Sequence, residues 1–366
     1  MTKSRRGNAN ALSVLAQMAC LDIPGDALLD ELLTALQDVV AFDRTSYMGY
    51  NAQGGVSELR LDAAAVPAMV ALYLQEWMGK LENESFAPHL RERLARRDYD
   101  CIRMSGAVPR LRHSAYHDQI LRSQGIADEA RVMLCRGGHP GAIGLARDRR
   151  DFTDADLSQL RQAMPYLAQA MARQAGPSDL EGSYAGDSAL LLVNRMGRIE
   201  AGSRTAYSLL TRAAGRMHVA NSTDVVTLAW AQPYLSAIVQ RVEALLLRQP
   251  SELPAVVERN RYGTFHLRGY VLRQAMAGMP PLYGIQIERR MSLEQRLFAS
   301  ERFRRLTASE REVALRLARG ATPAGIALEL GVKTSTPIFH MRNIYRRLGI
   351  HQRSDLVRAL ISDVSR

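Results

Sequence analysis

The sequence predicts a multidomain α+β chain: two units of mixed strands and helices, followed by an all-α unit of four short helices. Three observations carry this. A length of 366 residues exceeds what one ordinary core fills and suits two or three domains. Period-two alternation, the mark of half-buried strands, recurs ahead of about residue 290. From residue 306 onward the punctuation is helical, with capping residues at the starts and glycines at the stops.

The first unit spans residues 1–176. Helical runs over Ala9–Leu21 and Asp26–Phe42 lead to an alternating stretch, Thr45–Tyr50. Asn51 to Gly55 supplies residues that tolerate a left-handed turn, and Val56–Leu61 reads as the returning strand. Pro67–Lys80 and Ser114–Ser123 read as helices, and Glu129–Cys135 and Ala142–Arg147 as strands joined across Arg136-Gly137-Gly138-His139-Pro140-Gly141. A long amphipathic helix follows, with Thr153 as its expected N-cap and Asp156 three residues on. Its apolar Leu157, Leu160, Met164, Leu167 and Met171 recur at three- and four-residue steps, one helical stripe.

A stretch of turn formers from Gly176 to Gly186 separates the second unit, residues 187–290. Here a strand, Ala189–Val193, turns at Asn194–Gly197 into a short strand and the helix Arg204–Thr211. Helix Pro233–Arg248 and strand-like Ala255–Arg259, Thr264–Arg273 and Leu282–Glu288 complete it. Residues 291–305 read as a helical linker.

The third unit, residues 306–366, is the best punctuated. Thr307-Ala308-Ser309-Glu310 is a capping box, in which hydroxyl and carboxylate satisfy orphan N–H groups of the first turn. Val313, Leu317 and Ala318 face inward, and Gly320 ends the helix. Thr322-Pro323 places a cap and then a proline where its missing N–H costs nothing. Ile326, Ala327 and Leu330 form the buried side, and Gly331 permits a sharp left-handed stop. A third helix turns Met341, Ile344 and Leu348 inward and stops at Gly349; Asp355–Ile361 makes a fourth. Charge follows the same division. Of the net +11, residues 301–366 hold thirteen Lys and Arg against six acids, leaving +7 there, the footprint of a module for a polyanion. Arginine exceeds lysine throughout the chain, so that preference is ascribed to base composition of the gene.

Two helices joined by a glycine turn, the second bearing outward arginines, suit a DNA major groove. Residues 306–361 resemble the LuxR-type DNA-binding domain. The matching motifs are Leu306-Thr307, Glu310-Arg311-Glu312-Val313, Gly320, Ile326-Ala327, Leu330-Gly331, Thr336, His340, Asn343-Ile344 and Leu348-Gly349, aligned without a gap. The resemblance implies that helix 334–348 is the recognition helix, with Thr336, Ile338, Phe339, Arg342 and Arg346 outward. It places Thr322 and Lys333 toward phosphates, and Thr334 among the DNA-binding residues. Leu356, Val357 and Leu360 match the family's dimerisation helix. The chain departs from the family at Pro337, Ile338 and Phe339. A proline inside a helix loses a hydrogen bond and clashes one turn back, so the helix is expected to be capped at Thr334. Apolar Ile338 and Phe339 suggest contact with thymine methyls.

Residues 43–175 resemble a GAF-like sensory domain in Gly125, the strand pair 129–147 with Gly141 and Gly144, and the Phe152–Leu157 helix start. Residues 187–290 resemble a PAS-like fold in their strand-turn-strand-helix opening and three closing strands. Neither resemblance names a ligand. The tryptophan, tyrosine and aspartate set that holds acyl-homoserine lactones is not found, nor is the acidic cluster of a receiver domain.

The resulting expectation is a cytoplasmic, homodimeric, non-enzymatic regulator. Its partners would be double-stranded DNA, a second copy and RNA polymerase, with no membrane. No cofactor or metal is identified, and the front half would sense a small molecule of unidentified structure. Two alternatives stand beside it: a front half that only scaffolds a dimer, and a front-half enzyme fused to a DNA-binding head. No nucleophile motif, phosphate loop or paired catalytic carboxylates support the enzyme. The N-terminal MTKSRRG and the short apolar helix after it lack the marks of a signal peptide. Cys20, Cys101 and Cys135 have no disulfide or zinc spacing; Cys101 and Cys135 read as packing residues or redox sensors. His113 and His117 lie one helical turn apart, a spacing that two ligands of one metal can have, but with no intervening glutamate and no third ligand. Trp77 and Trp230 read as core anchors or ligand stackers, and Arg136-Gly137-Gly138 as a hairpin turn or an anion cradle.

Overall fold

The computed structural model describes residues 2–21, 23, 25–50, 56–61, 72–81, 92–93, 96–108, 111–136, 139–172, 184–214, 231–249, 251–260, 263–272 and 280–362. Two amphipathic helices come first, α1 (Thr2–Ala19) and α2 (Gly25–Val39). They form a hairpin that lies on a third, α4 (Asp154–Ala172), behind a five-stranded sheet. Gly25 belongs at this contact because a Cβ there would meet Ala170 O and Met171 Cα at 2.6 Å, so only glycine lets the two backbones approach.

The first sheet contains β1 (Arg44–Tyr50), β2 (Val56–Leu61), β3 (Cys101–Arg103), β4 (Asp128–Arg136) and β5 (His139–Arg147), with neighbouring strands antiparallel. Its order is β2-β1-β5-β4-β3. Alternation decides its two faces. Tyr47, Val132, Leu134, Ile143 and Leu145 point to α1, α2 and α4, and the residues between them point away. The other face is covered by α3 (Tyr73–Leu81) and the short helical turns of residues 111–124.

At α4 the expected cap forms reciprocally. The Thr153 hydroxyl accepts from Asp156 N–H at 3.2 Å, and Asp156 accepts from Thr153 N–H at 2.8 Å. Burial works against the Asp156 carboxylate, but its bonds to Arg147 and Thr153 hold it down at about 2.

The second sheet contains β6 (Tyr184–Val193), β7 (Ile199–Gly202), β8 (Ala255–Asn260), β9 (Gly263–Leu272) and β10 (Leu282–Met291), in the order β7-β6-β10-β9-β8. Helices α5 (Arg204–Ala213) and α6 (Ala231–Leu246) close one face over Leu191, Val193, Phe265, Leu267, Tyr283, Ile285 and Ile287.

Several local expectations change. Strand β3 carries too short an alternation to be read from sequence. The expected helix Ser114–Ser123 forms over residues 115–124 with a changing pitch, wider at His117–Leu121 and tighter at Arg122–Gln124, and ends at Gly125 with φ 71°. Strand β6 begins at Tyr184, inside the stretch read as a boundary loop, because it pairs along β10 as far as Met291. The turns at Asn51–Gly55 and Gly137–Gly138, most of the Gly176–Gly186 stretch and Trp230 lie outside the described residues.

Residues 291–305, read as a helical linker, are helical and packed into the core. Ser292 and Ser300 cap α7 (Leu293–Ala299) and α8 (Glu301–Arg304), whose Leu297, Phe298 and Phe303 are buried. Phe298 and Phe303 meet edge to face at 5.1 Å. Four further helices follow: α9 (Ala308–Ala318), α10 (Pro323–Leu330), α11 (Ser335–Leu348) and α12 (Leu356–Ile361). Their buried Val313, Ile326, Ile344, Leu356 and Leu360 belong to the same core as α1, α2 and α4. Among the described residues, no helix is long and apolar enough to cross a membrane.

Candidate nucleic-acid interface

Caps set the angles of the C-terminal helices. At α9 the Thr307 hydroxyl accepts from Glu310 N–H, and Glu310 accepts from Thr307 N–H at 2.9 Å. At α10 the Thr322 hydroxyl accepts from Gly325 N–H at 3.1 Å, with Pro323 in the first turn. Gly331 then turns the chain at φ 64°, where any side chain would be strained.

Helix α11 starts at Ser335, directly after Thr334, as the position of Pro337 demanded. The cap itself differs from expectation. Thr334 has helical φ and ψ and its hydroxyl caps nothing; the turn is closed by Thr336 N–H donating to Lys333 O at 2.9 Å. Pro337 is the third helical residue, so its missing N–H falls among those that have no partner within the helix. Its ring is buried.

Most residues assigned to the recognition surface lie on the outside. Thr322, Lys333, Thr334, Thr336, Phe339, Arg342 and Arg346 are exposed, Phe339 by 61%. Ile338 is half-buried, which leaves Phe339 as the outward apolar side chain of this helix. Arg346 donates to Asn343 Oδ1 at 2.7 Å, while Lys333 and Arg342 have no acidic partner among the described residues.

Much of the remaining basic charge is tied internally. Arg316 binds Glu312 and Glu329, Arg319 binds Glu294 at 2.8 Å, and Arg353 donates to Leu317 O at 2.7 Å. The count of arginines therefore overstates how many are available to a polyanion.

The residues expected for dimerisation need a correction. Leu356 and Leu360 are fully buried within their own chain, against α7 and α8, and Val357 is half-buried. Ser300 Oγ donates to Leu360 O, and Arg302 donates to Ala359 O at 3.3 Å, fastening α12 to α8. An apolar i, i+4 pair reads alike whether its cover is a partner or the chain itself.

Two junctions hold the molecule together, and neither was legible in the sequence. In the first, Arg311 of α9 is 1% exposed and inserts against α1. Its Nε donates to Gln17 Oε1 at 2.5 Å, Nη1 to Asn10 Oδ1 at 3.0 Å and Nη2 to Ser13 Oγ. Nη1 also donates to the Arg304 and Leu306 carbonyls. Desolvation pulls this guanidinium down to about 10, against the attraction of Glu310. In the second junction, Asp30 of α2 binds Arg212 of α5 at 2.5 Å and Arg289 of β10 at 3.4 Å. Arg289 also donates to Ala27 O at 2.6 Å. Beside them Glu31 is buried, and burial raises its carboxyl despite the nearby Arg289.

A third buried polar group occupies the outer face of the first sheet. Arg131 donates to Glu129 Oε1 at 3.0 Å and to the Tyr116 hydroxyl at 3.1 Å, and Tyr116 donates to Glu129 Oε2 at 2.9 Å. Trp77 meets Tyr116 edge to face at 5.3 Å and donates to Gln119 at 3.2 Å. Trp77 is thus a core residue beside a polar cluster. The expectation of a sensory unit did not single out Arg131, Glu129 or Tyr116. Cys101 is buried, its thiol donating to Leu157 O at 3.4 Å, and burial pushes it up to about 11, which suits packing rather than reactivity. His117 lies 3.4 Å from Asp118, and His113 is exposed in a separate turn.

Comparison with known proteins bears on the C-terminal helices. Residues 304–360 match the luxR family of bacterial regulatory proteins. No curated protein matches the chain. Among solved structures, the VqmA dimer of Vibrio cholerae, described with LuxR-type receptors, aligns at 11% identity. That alignment covers 48% of this chain and 83% of VqmA, at a TM-score of 0.18. The E. coli DhaR(N)–DhaL complex aligns at 12% identity over 72% of this chain and 86% of that one, at a TM-score of 0.24. Scores this low establish no common arrangement of domains. The C-terminal segment, residues 304–360, is a LuxR-family domain.

Proposed function

We propose that the chain is a transcription regulator that binds double-stranded DNA through α11, acts as a homodimer, and responds to a small molecule held by its front half. The observation that carries the DNA reading is the outward row of α11. Arg342, Arg346, Thr336 and Phe339 are exposed on one helix, whose inward Ile344 anchors it to the head. Arg342 is the preferred base reader, since an arginine can donate twice to guanine. Lys333, Thr334 and Thr322 flank it toward the phosphates. The dimer follows from geometry: one recognition helix spans few base pairs, and paired half-sites restore affinity. Contact with RNA polymerase and a cytoplasmic location belong to the same reading.

The small-molecule reading looks to the outer face of the first sheet, where Arg131, Glu129 and Tyr116 form a polar group beside Trp77. No cofactor is assigned.

Selection from random duplexes followed by anisotropy titration tests the DNA reading. Arg342→Ala is expected to weaken the selected site by roughly 1–3 kcal/mol and relax preference at one base pair. Binding should fall steeply as salt rises, through counterion release. Unchanged affinity in the variant removes Arg342 from the interface, and absence of any selected site in the wild type refutes the function.

A further inference from the structure

The Arg311 junction has a role that the LuxR-family assignment does not cover. We infer that α1 is a rigid mount for the DNA-binding head, and that Arg311 is the positioning residue that sets the spacing between two half-sites. This rests on the dimeric DNA-binding reading above.

The acceptors for Arg311 lie at positions 10, 13 and 17, three- and four-residue steps that place Asn10, Ser13 and Gln17 on one face of α1. Two of them are used at both ends. Asn10 Nδ2 donates to Arg304 O and Gln17 Nε2 to Ala308 O, each at 2.9 Å. Asn10 and Gln17 therefore bind both the guanidinium of the head and the backbone that leads into it, while Ser13 binds the guanidinium alone. The five acceptors of Arg311 are neutral oxygens, so a full charge is buried without a direct carboxylate. Burying a charge this way costs free energy unless every donor is met in fixed geometry. A head swinging on a tether gives no reason for that arrangement, whereas a fixed mount does.

Two further ties share the work. Arg319 at the end of α9 binds Glu294 of α7, and α12 is fastened by Ser300 and Arg302. All of these contacts lie away from α11. Thr336, Phe339, Arg342 and Arg346 stay exposed while the head is docked, so the docked head presents its reading surface and need not detach to bind. With the head fixed on α1, and α1 packed on α2 and α4, the span between two recognition helices is set by the body of the dimer.

The test pairs a distance measurement with a spacing series. Spin labels go on Ser158→Cys in α4 and Ser354→Cys before α12, both exposed, in full-length protein lacking Cys20 and Cys135. A narrow distance distribution is expected, unchanged when DNA is added. Arg311→Met should broaden it, and Gln17→Leu on the α1 side should do the same if Arg311→Met fails to fold. The duplex probes carry two selected half-sites separated by every spacer across one helical turn. The wild type should lose about a hundredfold in affinity half a turn from its preferred spacer. The folded variant should give a nearly flat series while binding a single half-site as the wild type does. A variant with the wild-type distance and spacing preference overturns the mount. So does a wild-type distance that shifts on DNA. If the wild type binds no DNA, the functional reading falls, and the label distances without DNA still decide whether the head is fixed.

Discussion

The two helices of the N-terminal hairpin hold buried arginines from other parts of the chain, one on α1 and two on α2, by different chemistry. On α1, Arg311 of the head meets neutral oxygens from Asn10, Ser13 and Gln17. On α2, Arg212 and Arg289 from the second sheet meet the carboxylate of Asp30, with Glu31 buried alongside. A neutral cradle fixes geometry through the number and direction of its hydrogen bonds, and protons do not change it near neutrality. A carboxylate cluster holds through charge, so it responds strongly to losing one acid and to pH. The neutral cradle on α1 is thus indifferent to pH near neutrality, whereas the α2 junction includes a buried carboxyl, Glu31, that is not.

The comparison is most sharply broken at Asp30. Asp30→Ala removes the carboxylate shared by two buried arginines and should cost roughly 1–3 kcal/mol in chemical denaturation, since Asp30 itself is partly exposed. A cost near zero would mean that other groups carry the α2 junction.

Glu31 gives a smaller, signed effect. Its carboxyl binds a proton more tightly in the folded chain than its ordinary value of 4.5. The folded state therefore holds more protons than the unfolded state above pH 4.5. The stability this group contributes is complete below that pH and is lost as pH rises through the raised folded value. Glu31→Gln should flatten that part of the stability profile, measured by urea midpoints across pH. A profile identical to the wild type would show that Glu31 does not titrate differently on folding. The α1 junction should add no slope over the same range.

The smallest effect belongs to Ser13→Ala, which removes one of several acceptors of Arg311. A loss of about 1–2 kcal/mol is expected, with the label distances between α4 and α12 kept narrow by Asn10 and Gln17. A broad distribution would mean that the cradle acts only as a complete set.

Local signals explain what could be read beforehand. Thr153, Thr307 and Thr322 are caps because a short hydroxyl beside an orphan amide is a property of adjacent residues, and Gly331 and Gly349 stop helices through their own φ. Pro337 likewise limited where α11 could begin. Thr334 misled because, at that start, a backbone turn through Lys333 replaces the side-chain cap. Strand β3 and the start of β6 were missed because pairing with distant β4 and β10 creates them, not their own composition.

By itself, the amino-acid order determined the helical head, its family motifs, the outward row on α11 and the alternation of the two sheets. These depend on residues within a few positions of one another. Tertiary structure alone decided that Leu356 and Leu360 are covered by α7 and α8, and that Arg311 serves α1. It also decided that Asp30 joins the second sheet to the hairpin. A buried arginine and an exposed one look the same in sequence. Only the partner brought to it across some three hundred residues, as Asn10 is to Arg311, shows which one it is.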